Sequence, residues 1–259
     1  MSENDNNSLF NQSLEKGLAV LRAFNARNRT MNLAEVAEAA GINKSSAQRM
    51  IHTLEALGYV SKHPVTKRFQ LTPHVMEIGY NYLAADTLVD VANPFLAELA
   101  QTTGETTNLT EPVRSDMLYV ARFVGPKFIP IHLPIGSRIP MYCTASGRVY
   151  LSALEDHEVM VLLEQSDIAS HTQFTRTSLD DILGEIAEIR RKGYAINSEE
   201  LFLGDMAVAA VVRNSQGRPV ASVHVVAPTS RWTPEEAERR LAPAALECAR
   251  AISTSIRTL

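Results

Sequence analysis

Several things are scarce or missing in this chain, and each absence removes a class of function. Cysteine occurs only as Cys143 and Cys248. Two distant cysteines make neither a disulfide framework nor a zinc spacing, and reduced thiols fit an intracellular setting. No apolar run approaches the roughly 18 residues needed to cross a bilayer. The polar opening MSENDNNSLFNQ lacks the basic-then-apolar order of a signal peptide, so a cytoplasmic protein without a membrane partner is expected. The GxSxG elbow, the GxxxxGK loop followed by Ser or Thr, and the HExxH pair are also missing. Acyl-transfer, nucleotide and metalloprotease chemistries therefore lack their usual marks, and no cofactor or metal is called for.

What is present is the composition of a globular protein, 45% hydrophobic and 21% charged over 259 residues, a length that fits two domains. The net charge of -4 argues against indiscriminate nucleic-acid binding, but it is an average over unlike parts. Residues 1–72 carry nine Lys/Arg against six Asp/Glu, and residues 73–259 carry 16 against 23. A basic head precedes an acidic body, a weak hint of a nucleic-acid-binding segment.

In the head, SLEKGLAVLRAF spaces Leu14, Leu18, Leu21 and Phe24 for one face of a helix, with Ser13 as its N-cap. Asn32 followed by Glu35 has the spacing of a capping box for a second helix, which Gly41 ends. Asn43 caps a third helix, ended by Gly58, and YVSKHPVTKRFQLT then reads as a basic hairpin. Three helices with a tight glycine turn before the last, followed by a hairpin, are the pattern of a winged helix-turn-helix.

From Pro73 to about Thr103 the pattern is helical and reads as a linker helix. Beyond Gly104, TTNLTEPV, MLYVARFV, FIPIHLPI and MAVAAVVRNSQGRPVASVHVV are strand-like, the last being a hairpin turning near Asn214 to Gly217. Helical patterns at 144–154, 155–164, 179–192 and 234–256 are interspersed. The expected class is α+β, with an antiparallel sheet, divided into a head at 1–72, a linker at 73–103 and a body at 104–259.

The third helix carries the sharpest signal. Ala47, Met50, Ile51, Leu54 and Leu57 form its apolar stripe, while Ser45, Ser46, Gln48, Arg49, His52 and Thr53 crowd the other side. B-form DNA admits one α-helix in its major groove and offers donors and acceptors to such side chains. A solvated amphipathic helix would look similar, but the turn, the hairpin and five Lys/Arg between Lys44 and Arg68 against only Glu55 favour DNA. Gln48, Arg49 and His52 are nominated for base edges; Lys44, Ser45, Ser46, Lys67 and Arg68 for phosphates, with Thr53 and Lys62 beside them.

These stretches, together with FQLTPHVMEIGYNYL, TGETTNLTE, YVARF, PIGSRIPMYCTASGRVYLSAL and IRRKGYAINSEEL, resemble the IclR family of bacterial transcriptional regulators along nearly the whole chain. The resemblance implies a winged helix-turn-helix, a GAF-like effector domain, dimers or dimers of dimers on near-palindromic operators, and a small-molecule effector, commonly a carboxylate. It assigns effector contacts to Ala145 and Ser146 in CTASGR, to Asn197 in GYAINSEE and to Ala207 in MAVAA. YCTASGRVYL, with Tyr142 and Cys143, is similar to the protocatechuate and hydroxybenzoate branch.

One stretch departs from the family pattern. His224 to Pro228, HVVAP, stands where Ser-x-Ser-Gly-Pro is common. Ser222, His224 and Val226 alternate onto one strand face, making a more apolar wall with a polar anchor that suits an aromatic acid better than a two-carbon acid. Arg122 and Arg138 are candidate carboxylate anchors, with surface ion pairs as the alternative. Two other readings stay open: an enzymatic body using Cys143 with His132 or His224, and a ligand-free dimerisation module.

Overall fold

The computed structural model describes residues 9–127, 131 and 133–256. They form two compact units that divide after Tyr82.

In the first unit, α1 (Gln12–Ala23) begins one residue before the expected cap: Asn11, not Ser13, accepts the orphan N–H groups of Ser13 and Leu14. Its inward stripe also differs from expectation. Val20, Ala23 and Phe24 are buried, whereas Leu14 and Leu18 are exposed. The capping box at α2 (Leu33–Ala39) forms as its spacing requires, with Asn32 and Glu35 each accepting from the other's backbone. Gly41 follows with φ +65°, a left-handed turn that side-chain-bearing residues adopt only with strain. Asn43 then caps α3 (Lys44–Ala56) by accepting from Ser46 N at 2.8 Å. Ala47, Ile51 and Leu54 pack with Val20, Met31, Val36 and Phe69, while Leu57, expected in the stripe, lies beyond the last turn and is exposed. Strands β1 (Val60–Lys62) and β2 (Phe69–Leu71) complete a winged helix-turn-helix.

The stretch expected as one linker helix contains a 3-10 turn at Pro73–Val75 and two helices, α4 (Met76–Ala85) and α5 (Thr87–Thr103), the second capped by Asp86. In the second unit the described strands make an antiparallel sheet ordered β5-β4-β3-β8-β7-β6. They are β3 (Thr107–Val113), β4 (Asp116–Phe123), β5 (Arg138–Pro140), β6 (Tyr194–Ser198), β7 (Met206–Arg213) and β8 (Pro219–Val226). The β7–β8 hairpin turns at Asn214 to Gly217 as its residues dictate. β5 and β6 were not anticipated. Of FIPIHLPI, residues 128–130 and His132 lie outside the described residues, and Leu133 to Ile135 are not strand.

One sheet face is largely apolar, Thr107 being bonded through its hydroxyl to Leu96 O of α5. Val208, Ala210, Val212, Val223 and Val225 pack against α5 and against α9 (Pro234–Ser255). The other meets α6 (Ala145–Leu151) and α8 (Leu179–Lys192) and is partly polar. α6 stops three residues short of the expected Leu154, and α7 (Asp156–Glu164) follows it. A Cβ on Gly147 would fall 2.2–2.6 Å from backbone atoms of Met141, so only glycine lets α6 approach the strand end this closely. The fold is α+β, with no helix among the described residues long and apolar enough to cross a membrane.

Candidate functional site

Two separate regions carry the nominated residues, one in each unit. In the first, Lys44, Ser45, Gln48, Arg49, His52 and Thr53 are exposed along α3, and Ser46 is half-buried beside its capping residue. Thr53 turns its hydroxyl back onto Arg49 O at 3.0 Å, a local bond common for threonine in helices. Gln48 and His52 share a shallow depression with Asn32, Lys62, Lys67 and Phe69, so helix and wing present one continuous polar surface. Lys62 Nζ stands 5.4 Å over the Phe69 ring, and Lys67 occupies the turn with φ 57°.

Arg68 is differently placed. Its guanidinium donates to Glu35 Oε2 at 2.6 Å and to Thr30 O at 2.7 Å, strapping the wing to the start of α2. A hydrogen bond from the Asn32 backbone, followed by that from Arg68, holds the Glu35 carboxyl below its ordinary range. The sequence showed the charge of Arg68 but not its partner, because Glu35 is distant along the chain.

In the second unit, pairing lays residues of neighbouring strands side by side on the polar face. Asn197, Ala207 and Val226 form one row, and Ala209, His224, Asn108 and Arg122 another. A small cavity of about 40 Å³, enough for a few waters, opens over them. Of the nominated residues, Ala145, Ser146, Asn197, Ala207, His224 and Val226 line it. Tyr142, Cys143 and Ser222 do not. Tyr142 donates its hydroxyl to Ala169 O at 2.6 Å, and Ser222 donates to Ser146 O at 2.9 Å, tying β8 to α6.

Sequence reading missed Tyr119, Leu133, Ile139, Thr144, Leu201, Phe202 and Asp205, which complete the lining. Asp205 was within reach, since it lies two residues before Ala207 and alternation places both on one face. The others needed the register of β4 and the path of two loops.

The network under the cavity is polar and neutral at its centre. His224 Nε2 lies 3.1 Å from Asn108 Nδ2 and 3.2 Å from Tyr119 Oη. Asn108 Nδ2 can only donate, its Oδ1 facing Arg122 Nη1, so His224 Nε2 accepts and the ring proton sits on Nδ1, a tautomer inferred from the partners. Burial, with the nearby Arg122 charge, depresses the His224 pKa to about 3, keeping the imidazole neutral. Burial also raises the Tyr119 phenol. Arg122 donates from Nη1 to Leu133 O at 2.9 Å, but its Nε and Nη2 are buried without partners among the described residues. Arg138, by contrast, pairs with Asp116 at 2.5 Å on the surface.

Nucleophilic chemistry finds no support in this arrangement. Burial pushes the Cys143 thiol up to about 12 and lowers His224 to about 3, so the pair lacks both a thiolate and a strong enough base. His132, the other base considered, lies outside the described residues.

The family model for the IclR helix-turn-helix domain matches residues 13–64, and that described as bacterial transcriptional regulator IclR C-terminal matches 80–254. The Pca regulon regulatory protein of Pseudomonas putida is 30% identical over 242 residues, 93% of this chain and 82% of its own. The p-hydroxybenzoate hydroxylase transcriptional activator of Acinetobacter baylyi is 31% identical over 227 residues, 86% of this chain and 83% of its own. Among solved structures, a transcriptional regulator from Rhodococcus sp. RHA1 superimposes with a TM-score of 0.81 at 35% identity, over 96% of this chain and 99% of that one.

Proposed function

Because the chain belongs to the IclR family of bacterial transcriptional regulators, which are not enzymes, we propose that this DNA-binding regulator answers to a small carboxylate metabolite and controls a catabolic operon. Residues 1–72 are the head, 73–103 the connection and 104–259 the effector-binding and oligomerisation part. Homodimers, assembling further as dimers of dimers, set two α3 helices in successive major grooves about 34 Å apart on a near-palindromic operator.

The observation carrying the DNA reading is that α3 buries Ala47, Ile51 and Leu54 while Ser45, Gln48, Arg49 and His52 stay exposed beside a basic wing. Arg49, Gln48 and His52 read base edges; Lys44, Ser45, Ser46, Lys62 and Lys67 hold phosphates, with Thr53 at the margin. Arg68 shares the phosphate role only if it leaves Glu35. In vitro selection from randomised duplexes with the full chain should return a near-palindromic consensus. Recovery of no common sequence would overturn this assignment.

For the effector, the support is the cavity between α6 and the β8 face. Leu133, Ile139, Leu201, Phe202 and Val226 supply an apolar wall, and Arg122 keeps two unanswered donors behind it. This favours an aromatic acid, as does the name of the Acinetobacter baylyi relative. Leu201 and Phe202, half-exposed in a loop, have to yield for such a ligand, because the cavity holds only a few waters. Binding shifts operator affinity by the ligand's differential affinity for the DNA-bound and free forms. Calorimetry with benzoate, hydroxybenzoates and glyoxylate tests the class: micromolar glyoxylate binding with none for aromatic acids would remove the aromatic reading. Arg122→Ala should abolish carboxylate binding.

A further inference from the structure

The effector cavity contains a negative group that nothing answers. Asp205 enters it from the start of β7, and its backbone is fixed, accepting from Glu199 N at 2.7 Å and donating to Phe202 O at 3.2 Å. Its carboxylate has no hydrogen-bond or ion-pair partner among the described residues. The cations of that loop region are already committed: Arg148 and Arg176 both bind Glu200. Burial alone raises the Asp205 carboxyl to about 7. Two groups of the lining beside this partly exposed carboxylate are buried and unsatisfied. Ser146 and His224 are each 2% exposed, and Ser146 Oγ and His224 Nδ1 lack partners among the described residues.

A buried hydroxyl and N–H left unpaired cost free energy, which a ligand making those bonds recovers, and the partly exposed Asp205 carboxylate beside them is open to accept from the same ligand. A bare carboxylate facing Asp205 would instead set two like charges together. An ammonium would satisfy Asp205 but offers no acceptor for the Nδ1–H. A hydroxyl both donates and accepts. We propose that Asp205 selects the effector through a ligand hydroxyl that donates to its carboxylate, so that the protein senses a hydroxylated acid in preference to its deoxy analogue. This deepens, and rests on, the reading of the cavity as the effector site. The ligand's own carboxylate then lies away from Asp205, towards the row containing Arg122.

The test is calorimetric titration of the full chain with matched pairs: benzoate against 3-hydroxybenzoate, 4-hydroxybenzoate and 3,4-dihydroxybenzoate, and propionate against lactate, with phenol as a hydroxyl probe lacking an acid. At least one hydroxylated acid should bind about 10-fold or more tightly than its partner. Asp205→Leu should shrink that ratio to about threefold or less. This variant also removes an unpaired, partly buried charge, so it should melt higher than the native protein; if it fails to fold, Asp205→Asn, which keeps one acceptor oxygen, should still reduce the ratio. Deoxy acids binding as well as hydroxylated ones, or a ratio unchanged in both variants, overturns the inference while leaving a carboxylate effector standing. Phenol binding that depends on Asp205, with no binding by any acid, upholds the hydroxyl selection and removes the carboxylate. No binding by any of these compounds overturns both.

Discussion

Arg148 and Glu200 meet inside the second unit as a two-pronged pair, Nη1 to Oε1 at 2.6 Å and Nη2 to Oε2 at 2.7 Å, each side chain 1% exposed. Arg148 Nε also donates to Tyr142 O at 2.7 Å, and Glu200 accepts from Arg176 and from Asn197 Nδ2 at 2.9 Å. The pair therefore orients Asn197, a wall of the cavity. Removing Glu200 leaves the Arg148 charge uncompensated, at a cost of about 3–5 kcal/mol, and removing Arg148 leaves Glu200 with Arg176 as its remaining charge partner, at a smaller cost. Arg148→Met should lower the urea midpoint accordingly, and Arg148→Met with Glu200→Met should recover much of the loss. A single variant as stable as the native protein would show the pair to be dispensable.

Gly147 should be intolerant of any side chain. Gly147→Ala forces a methyl against the Met141 backbone, where nothing flexible can yield, and overpacking of this kind costs about 1–3 kcal/mol. Thermal melting should show the loss. An unchanged melting temperature would mean that α6 can withdraw freely.

On DNA, Arg49→Ala should cost about 1–3 kcal/mol on a selected operator and little on random duplex, whereas Lys67→Ala should weaken both alike and reduce the salt slope by about 1. Arg68→Ala should leave the salt slope unchanged and act through the wing, losing at most about 1 kcal/mol of stability because the Glu35 pair is partly exposed. Anisotropy titrations at several salt concentrations separate these outcomes. Equal losses from Arg49→Ala on operator and random DNA would count against base reading.

Asp205 and His224 should give opposing pH dependences. The folded state raises the Asp205 carboxyl to about 7 from an ordinary value near 3.8, so the stability it confers is present at low pH and is lost as pH rises through 7. His224, depressed to about 3 from 6.5, confers stability present above 6.5 that is lost as pH falls. Relative to the native protein, Asp205→Asn should gain stability as pH rises from 4 to 8, by up to a few kcal/mol, on the order of the shift. His224→Gln should gain as pH falls below 6.5. Melting curves parallel to the native one across that range would contradict both assignments.

Much of the head was legible because its signals are local. A cap, a capping box and a glycine stop act within four residues, so Asn32, Glu35, Gly41 and Asn43 announced α2 and α3 without tertiary information. Periodicity is less decisive where several apolar residues compete: of the expected stripe Leu21 and Phe24 reach the core, but Val20 and Ala23 take the places of Leu14 and Leu18, and only packing chose between them. In the body, alternation put Ser222, His224 and Val226 on one face, and the fold keeps them there. It then separates them, giving Ser222 to α6 and the other two to the cavity.

The sequence by itself determined the elements of the head, the family and the polar face of α3, because each depends on spacing along the chain or on its ordered motifs. Tertiary structure alone decided which charges are spent and which are not. Arg68 is tied to Glu35 and Arg148 to Glu200, while Arg122 and Asp205 remain unmatched among the described residues. Such pairings join residues far apart in sequence and depend on strand register and burial, neither of which composition or periodicity encodes.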